Sequence, residues 1–352
     1  MRAVAAAAVL LVGPALAACS STTNDSHALA AAPSASASAS AISYDGPEAG
    51  IPNAFRGLDT TKKLTIGWLS PNEKIPALAQ LQDGISDLVE KAGGTLISKD
   101  CQLDFNTQVN QFQELIARKV DGIVVYPLNP DALGPQLEAA KNAGIPVVAI
   151  NTPVKGGQPL STGYAANVLQ GFDIAAYNRA KYVATVAPGS RYGLIGLSIP
   201  VGTLKYYMER QKFWADKFGL KFVGQEDAKS DDPTGGADGM TGLIGRNPDV
   251  QTVFAYNDPA ALGAAGAARS AGKSIRVLGS DAADRSTMDA VASGQLSGSY
   301  HVDQYSEGYQ AATAVYTVAA GGSLDSDTVV TTGIMVTKDN AGTIAPEGPL
   351  KR

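Results

Sequence analysis

Residues 120–152 read VDGIVVYPLNPDALGPQLEAAKNAGIPVVAINT, and the spacing of their apolar positions changes twice. Gly122 to Tyr126 is a continuous apolar run, as in a strand covered on both faces of a parallel sheet. Pro127 and Pro130 force a turn at its carboxyl end. From Asp131 the apolar residues Leu133, Leu137 and Ala140 fall on one helical face, Gly144 closes that helix, and PVVAI (146–150) predicts the next strand with Asn151 at its end. The same plan returns at 250–281, VQTVFAYNDPAALGAAGAARSAGKSIRVLGSD: a strand, the polar cluster Asn257-Asp258-Pro259, a helix, a turn, and a strand ending on Asp281. Two like units one domain apart predict two lobes of like architecture. Open parallel sheets bind ligands outside the carboxyl ends of their strands, so two facing lobes enclose a cleft. An ordinary α/β enzyme that repeats a βαβ unit is the plainer reading of the same pattern.

The rest of the chain keeps the alternation. Strands are expected at 64–69 and near Leu96, with helices at 77–91 and 106–118 that align Leu81, Ile85 and Leu88 on one and Phe112, Leu115 and Ile116 on the other. After a loop at 153–163, a short extended stretch at 163–167 is the expected crossing into the second lobe, which a helix at 168–186 opens. Strands follow at 191–197, 221–224, 252–256, 275–279 and 296–302, with helices beginning near Gly202, Gly235, Pro259 and Arg285. A helix at 305–319 and two final strands, 328–332 and 334–336, broken at Gly333, complete the pattern. The fold class expected is α/β, two doubly wound parallel-sheet lobes.

Composition narrows the function. The 352 residues leave room for two domains and a tail. With 17% charged residues, net charge −5 and no extended basic face, the chain is not built for nucleic acid. The N-terminus carries Arg2 and then an apolar run too short to span a membrane. Leu16-Ala17-Ala18-Cys19 resembles the lipobox of bacterial lipoproteins. The resemblance implies a signal peptide at 1–18, cleavage before Cys19, and acylation of that cysteine, which would anchor the protein in the lipid bilayer on the extracytoplasmic side. A plain secretory signal with a chance cysteine is the bland alternative. Ala-Ser alternation then makes residues 19–61 a flexible linker, with His27 solvated within it. Cys101, left without a partner, reads as a structural thiol.

Several phrases carry a wider resemblance: Asp121-Gly122-Ile123, Ala143-Gly144-Ile145-Pro146-Val147-Val148, Asn167-Val168-Leu169, Pro248-Asp249-Val250-Gln251, Phe254-Ala255-Tyr256-Asn257-Asp258 and Gly279-Ser280-Asp281. In their order and spacing, from about Lys63 to Lys338, the chain resembles the type I periplasmic sugar-binding proteins, most closely the ribose-binding branch. The resemblance implies a monomer of two lobes joined by a three-strand hinge, with crossings near Ala165–Ala166, Val302–Asp303 and Thr331–Gly333. The lobes would comprise 62–165 plus 303–331 and 166–302 plus 332–345. They would close on a small polyhydroxy ligand and present it to an ABC permease. It implies ligand contacts from Asn151, Arg210, Asn257 and Asp281, whose amide, guanidinium and carboxylate groups suit vicinal hydroxyls. Asn257 and Asp281 as helix caps and Arg210 as a surface charge remain open readings. The pocket departs from a ribose site: Ala77 and Leu78 replace stacking aromatics, Thr152 an arginine, Ser230 an aromatic and Val302 a glutamine. Asn72, Glu73 and Lys74 in the first exit loop could compensate, and Trp68, Tyr126, Trp214 or Tyr256 could supply a ring.

No enzyme signature appears: no GxSxG, no GKS/T phosphate loop, no HExxH and no GxGxxG after the first strand. No cofactor or metal site is expected, and Asp227, Asp231 and Asp232 read as a solvated turn. A repressor domain of the same fold would need a DNA-binding helix pair where the lipobox stands. A membrane-tethered sensor for a non-sugar small molecule is the alternative to an importer component.

Overall fold

The computed structural model describes residues 42–56, 62–152, 154–155, 158–159 and 163–345. The expected signal peptide, Cys19, His27 and most of the expected linker lie outside these residues. Two six-stranded sheets form the body. The first holds β1 (Thr65–Ser70), β2 (Thr95–Asp100), β3 (Gly122–Val125), β4 (Val147–Ile150), β5 (Ala166–Leu169) and, from near the chain's end, β11 (Thr328–Val330), in the order β11-β5-β4-β3-β1-β2. The second holds β6 (Arg191–Leu197), β7 (Lys221–Ala228), β8 (Thr252–Ala255), β9 (Arg276–Asp281), β10 (Gly298–His301) and β12 (Ile334–Val336), in the order β12-β10-β9-β8-β6-β7. Within these two sheets every pairing is parallel except β10 with β12, and a separate short pairing of Val154–Lys155 with Gln158–Pro159 is antiparallel. The continuous apolar runs that predicted two-sided burial are buried throughout in β3, β4 and β8.

Helices cover both faces of each sheet. In the first lobe these are α1 (Pro76–Lys91), α2 (Phe105–Ala117), α3 (Gly134–Asn142) and α9 (Gln304–Ala319), which returns to pack on α1. In the second they are α4 (Phe172–Val186), α5 (Gly202–Lys217), α6 (Pro233–Arg246), α7 (Asp258–Ser270) and α8 (Arg285–Ala292). Side-chain caps start five of them: Asp104 accepts from Thr107 N, Asp232 from Gly235 N, Asn257 from Ala260 N, Asp284 from Thr287 N and Asp303 from Ser306 N.

Two expectations change. The helix expected from Val168 begins at Phe172, because residues 166–169 form a fully buried strand between β4 and β11. The first crossing therefore falls at Gln170–Gly171, not at Ala165–Ala166. Gly171 takes φ +70°, and a Cβ there would stand 3.0 Å from the Thr331 carbonyl oxygen of a neighbouring crossing. A Cβ on Gly333 would likewise run into the carbonyl oxygen of His301. Only glycine lets the crossing segments lie this close.

The second change concerns residues 42–56, which composition placed in the flexible linker. They form a strap across the hinge. Tyr44 packs edge-on against Tyr177 and donates to Asp173 at 2.9 Å, and the Tyr177 hydroxyl donates to Ile42 O at 2.7 Å. Glu48, 3% exposed, accepts from Asp173 N and Ile174 N at the start of α4, where Gly171 offers no side chain of its own. Farther along, Pro52 O accepts from Val330 N, and Phe55 is buried in the core of the first lobe. Apolar anchors and a remote helix cap hold this segment, and Ala-Ser composition alone does not reveal them.

Candidate ligand-binding site

The lobes meet along the carboxyl ends of their strands. Gly202 N donates to Leu128 O at 3.1 Å, the Tyr126 and Thr203 hydroxyls lie 3.3 Å apart, and Gln80 hydrogen-bonds Ala283 O. Ile75 and Ala77 pack on Ala283, and Leu128 on Val201. Between these contacts lies a cavity of about 60 Å³.

The second lobe supplies most of the polar wall. Tyr256 and Asn257 follow β8, Asp281 ends β9, and Asp231 sits in the loop from β7 to α6; all four line the cavity. Asp231 Oδ1 accepts from Tyr256 OH at 2.7 Å and Asn257 Nδ2 at 2.8 Å, and burial raises its pKa. Asn257 Oδ1 caps α7 at the same time, so the cap reading holds for a side chain that also lines the cavity. Asp281 takes φ +99° and Asn151, at the matching end of β4, takes φ +60°. Left-handed backbone at non-glycine residues is costly and gathers at functional sites.

Gln170, in the first crossing, ties these strand ends together. Its backbone N–H donates to Asn151 Oδ1 at 2.6 Å, its Oε1 accepts from Asn151 Nδ2 at 3.3 Å, and its Nε2 donates to Asp281 Oδ1 at 2.8 Å. Burial pushes Asp281 up to about 7, against the Gln170 hydrogen bond and the Arg179 charge, which lower it. Asp258 and Glu307 are also raised, first by burial and next by the charge of Asp281. Arg179, fully buried, spends its guanidinium on Tyr207 OH, Ala255 O and Leu278 O. The first lobe contributes a mainly apolar wall: Pro71, Ile75, Ala77, Leu78, Leu81 and Leu103, with Tyr126 and Gln304.

The structure separates the expected site residues. Asn257 and Asp281 line the cavity. Asn151 does not, but it fixes Gln170, which does. Arg210 is turned away: it pairs with the fully buried Asp173 and lies over the Phe213 ring at 4.1 Å. Asn72, Glu73 and Lys74 form a turn outside the lining, with Lys74 N on Asn72 Oδ1 at 3.1 Å. Of the four candidate rings, Tyr126 and Tyr256 reach the cavity, whereas Trp68 and Trp214 are core. Cys101 is buried beside Pro71 O, and burial pushes its thiol to about 11, which suits a structural role. Sequence reasoning missed Gln170 and Gln304, and it placed Asp231 in a solvated turn. The only signal for Asp231 was its position after a strand of the second sheet, the place where Asn257 and Asp281 also sit.

Comparison with known proteins agrees with this architecture. Residues 66–323 match the family described as periplasmic binding protein domain. The ribose import binding protein of Bacillus subtilis is 31% identical over 62% of this chain and 70% of its own length. The xylitol-binding protein of Mycolicibacterium smegmatis is 27% identical over 62% of this chain and 61% of its own. Among solved structures, an ABC transporter solute-binding protein from Bacillus halodurans with bound myo-inositol is 25% identical, with TM-score 0.69, over 81% of this chain and 97% of that one. The chain belongs to the periplasmic binding protein domain family, whose members bind solutes and are not enzymes.

Proposed function

We propose that this periplasmic binding protein is the extracytoplasmic solute-binding component of an ABC importer for a small polyhydroxy ligand, a sugar or polyol. The observation that carries the reading is the Gln170 bridge. One side chain in the hinge joins the ends of β4 and β9 and so ties the polar wall of the second lobe to the first. Hydroxyls of a ligand would meet Asp231, Asn257, Asp281 and Gln304, and its C–H face would lie on Ala77, Leu78 and Phe172. Ligand contacts to both lobes bias the closed state, and that state would be read by the permease. Relatives that carry ribose and xylitol in their names, and a structural relative holding myo-inositol, support this ligand class. Acylation of Cys19 would keep the monomer at the outer face of the membrane.

A thermal-shift screen of the purified chain against pentoses, hexoses, pentitols and inositols tests the ligand class, since a ligand that binds only the native state raises Tm by mass action. A shift with a sugar or polyol, lost in Asp281→Ala, is the expected result. A shift with amino acids and none with any polyhydroxy compound would overturn it. Labelled palmitate incorporated by the wild type and absent in Cys19→Ser tests the anchor.

A further inference from the structure

The charge of the cavity is one-sided. Asp231 and Asp281 face it, and among the described residues no Lys, Arg or His lines it. The nearest guanidinium, Arg179, lies behind Asp281 and is held by Tyr207 and two carbonyl oxygens, while Arg210 is committed to Asp173. Asp231 Oδ1 takes both hydrogen bonds from Tyr256 and Asn257, and neither uses Oδ2. A second observation is independent of these acids. Gln304 lines the same cavity at 2% exposure, and both its amide nitrogen and its amide oxygen lack a hydrogen-bond partner. Such a buried amide is costly unless a ligand completes it. Two carboxylates against a largely apolar wall are likewise unfavourable until positive charge or several donors reach them. Among the described residues no three His, Cys, Asp or Glu side chains gather as a metal ion would require.

We infer that the ligand is a polyol bearing a protonated amine, an aminodeoxy sugar or aminocyclitol, whose ammonium group is held between Asp231 and Asp281 while Gln304 takes a neighbouring hydroxyl. This rests on the polyhydroxy reading above and narrows it. The hydroxyls account for Asn257, Gln170 and Gln304, and the ammonium accounts for an acid pair that, among the described residues, no Lys, Arg or His meets inside the cavity. The apolar wall of Ala77, Leu78 and Phe172 takes the C–H face of the ring.

Calorimetric titration of the full chain with matched pairs is the test: glucosamine with glucose, galactosamine with galactose, 1-amino-1-deoxyglucitol with glucitol, and an inosamine with myo-inositol. At least one amine is expected to bind about 10-fold or more tightly than its parent, as charge-assisted hydrogen bonds are roughly twice as strong as neutral ones. Asp231→Asn is expected to cut that amine-to-parent ratio about 10-fold, with the unliganded Tm measured alongside to separate folding from binding. Asp281→Asn provides the second, independent variant. A neutral parent binding as well as or better than every amine overturns the inference and leaves the polyol reading standing. Binding by no member of any pair overturns both.

Discussion

The two lobes share a plan and differ in what they present. Each ends a central strand in a residue forced to positive φ, Asn151 in the first and Asp281 in the second. Asn151 turns its amide inward to hold Gln170, and the neighbouring Asn167 closes on Thr152 through both of its amide atoms. The amides of Asn151 and Asn167 are thus spent within the protein, and helix α1 offers Ala77, Leu78 and Leu81 to the cavity. In the second lobe Asp231, Tyr256, Asn257 and Asp281 all face the cavity. The comparison teaches that duplicated architecture does not require duplicated chemistry: the first lobe gives the cavity a mainly apolar wall, and the second, the recognising lobe of the proposal, gives it most of its polar groups.

The largest test of that contrast removes what holds the recognising lobe together. Arg179→Met would leave Tyr207 and two buried carbonyls without their donor. A loss of about 3–5 kcal/mol in denaturant unfolding is expected, larger than for any cavity-lining substitution in the first lobe. Next, Asp281→Ala should weaken ligand binding roughly 100-fold by calorimetry, whereas Leu78→Ala should weaken it only about 10-fold or less. Equal effects would mean that both lobes recognise.

A third test uses pH. Glu48 and Asp281 are both raised to about 7, chiefly by burial. Because the folded state holds these protons to a higher pH than the unfolded chain, the contribution of the two groups to stability is greatest below the ordinary carboxylate range and falls as pH rises towards 7. The decline should be roughly 1–3 kcal/mol for each group, read as a falling urea midpoint from about pH 4.5 to 7. Glu48→Gln should flatten the part due to the strap, and Asp281→Asn the part due to the cavity. The smallest expected effect is that of Arg210→Ala on ligand affinity, less than about 3-fold, with about 1–2 kcal/mol lost from stability because the buried Asp173 loses a partner. A large loss of affinity with unchanged stability would return Arg210 to the cavity.

Much of the fold was legible because buried parallel strands are short and apolar and alternate with helices whose apolar residues recur on one face. GIVV, VVAI and TVFA could be little else. Of the strand at Ala166–Leu169, Val168 and Leu169 were read as the start of a helix because so short a stretch carries no period of its own; pairing on both sides settles all four as a strand. Of the site, Asn257 and Asp281 were legible as polar residues closing apolar strands. Arg210 was not, since a helical register alone does not say whether a side chain faces the cleft or a buried carboxylate on the adjacent helix.

By itself the sequence determined the α/β alternation, the duplication into two lobes and the strand ends where chemistry would gather, because these follow from periodicity and turn residues acting over a few positions. The tertiary structure alone decided that Asp173 captures Arg210, that Glu48 caps a helix more than a hundred residues away, and that Asp231, Gln170 and Gln304 meet Asp281. Each of those outcomes depends on which groups lie near one another after the chain has folded and water has been removed, and local sequence does not carry that proximity.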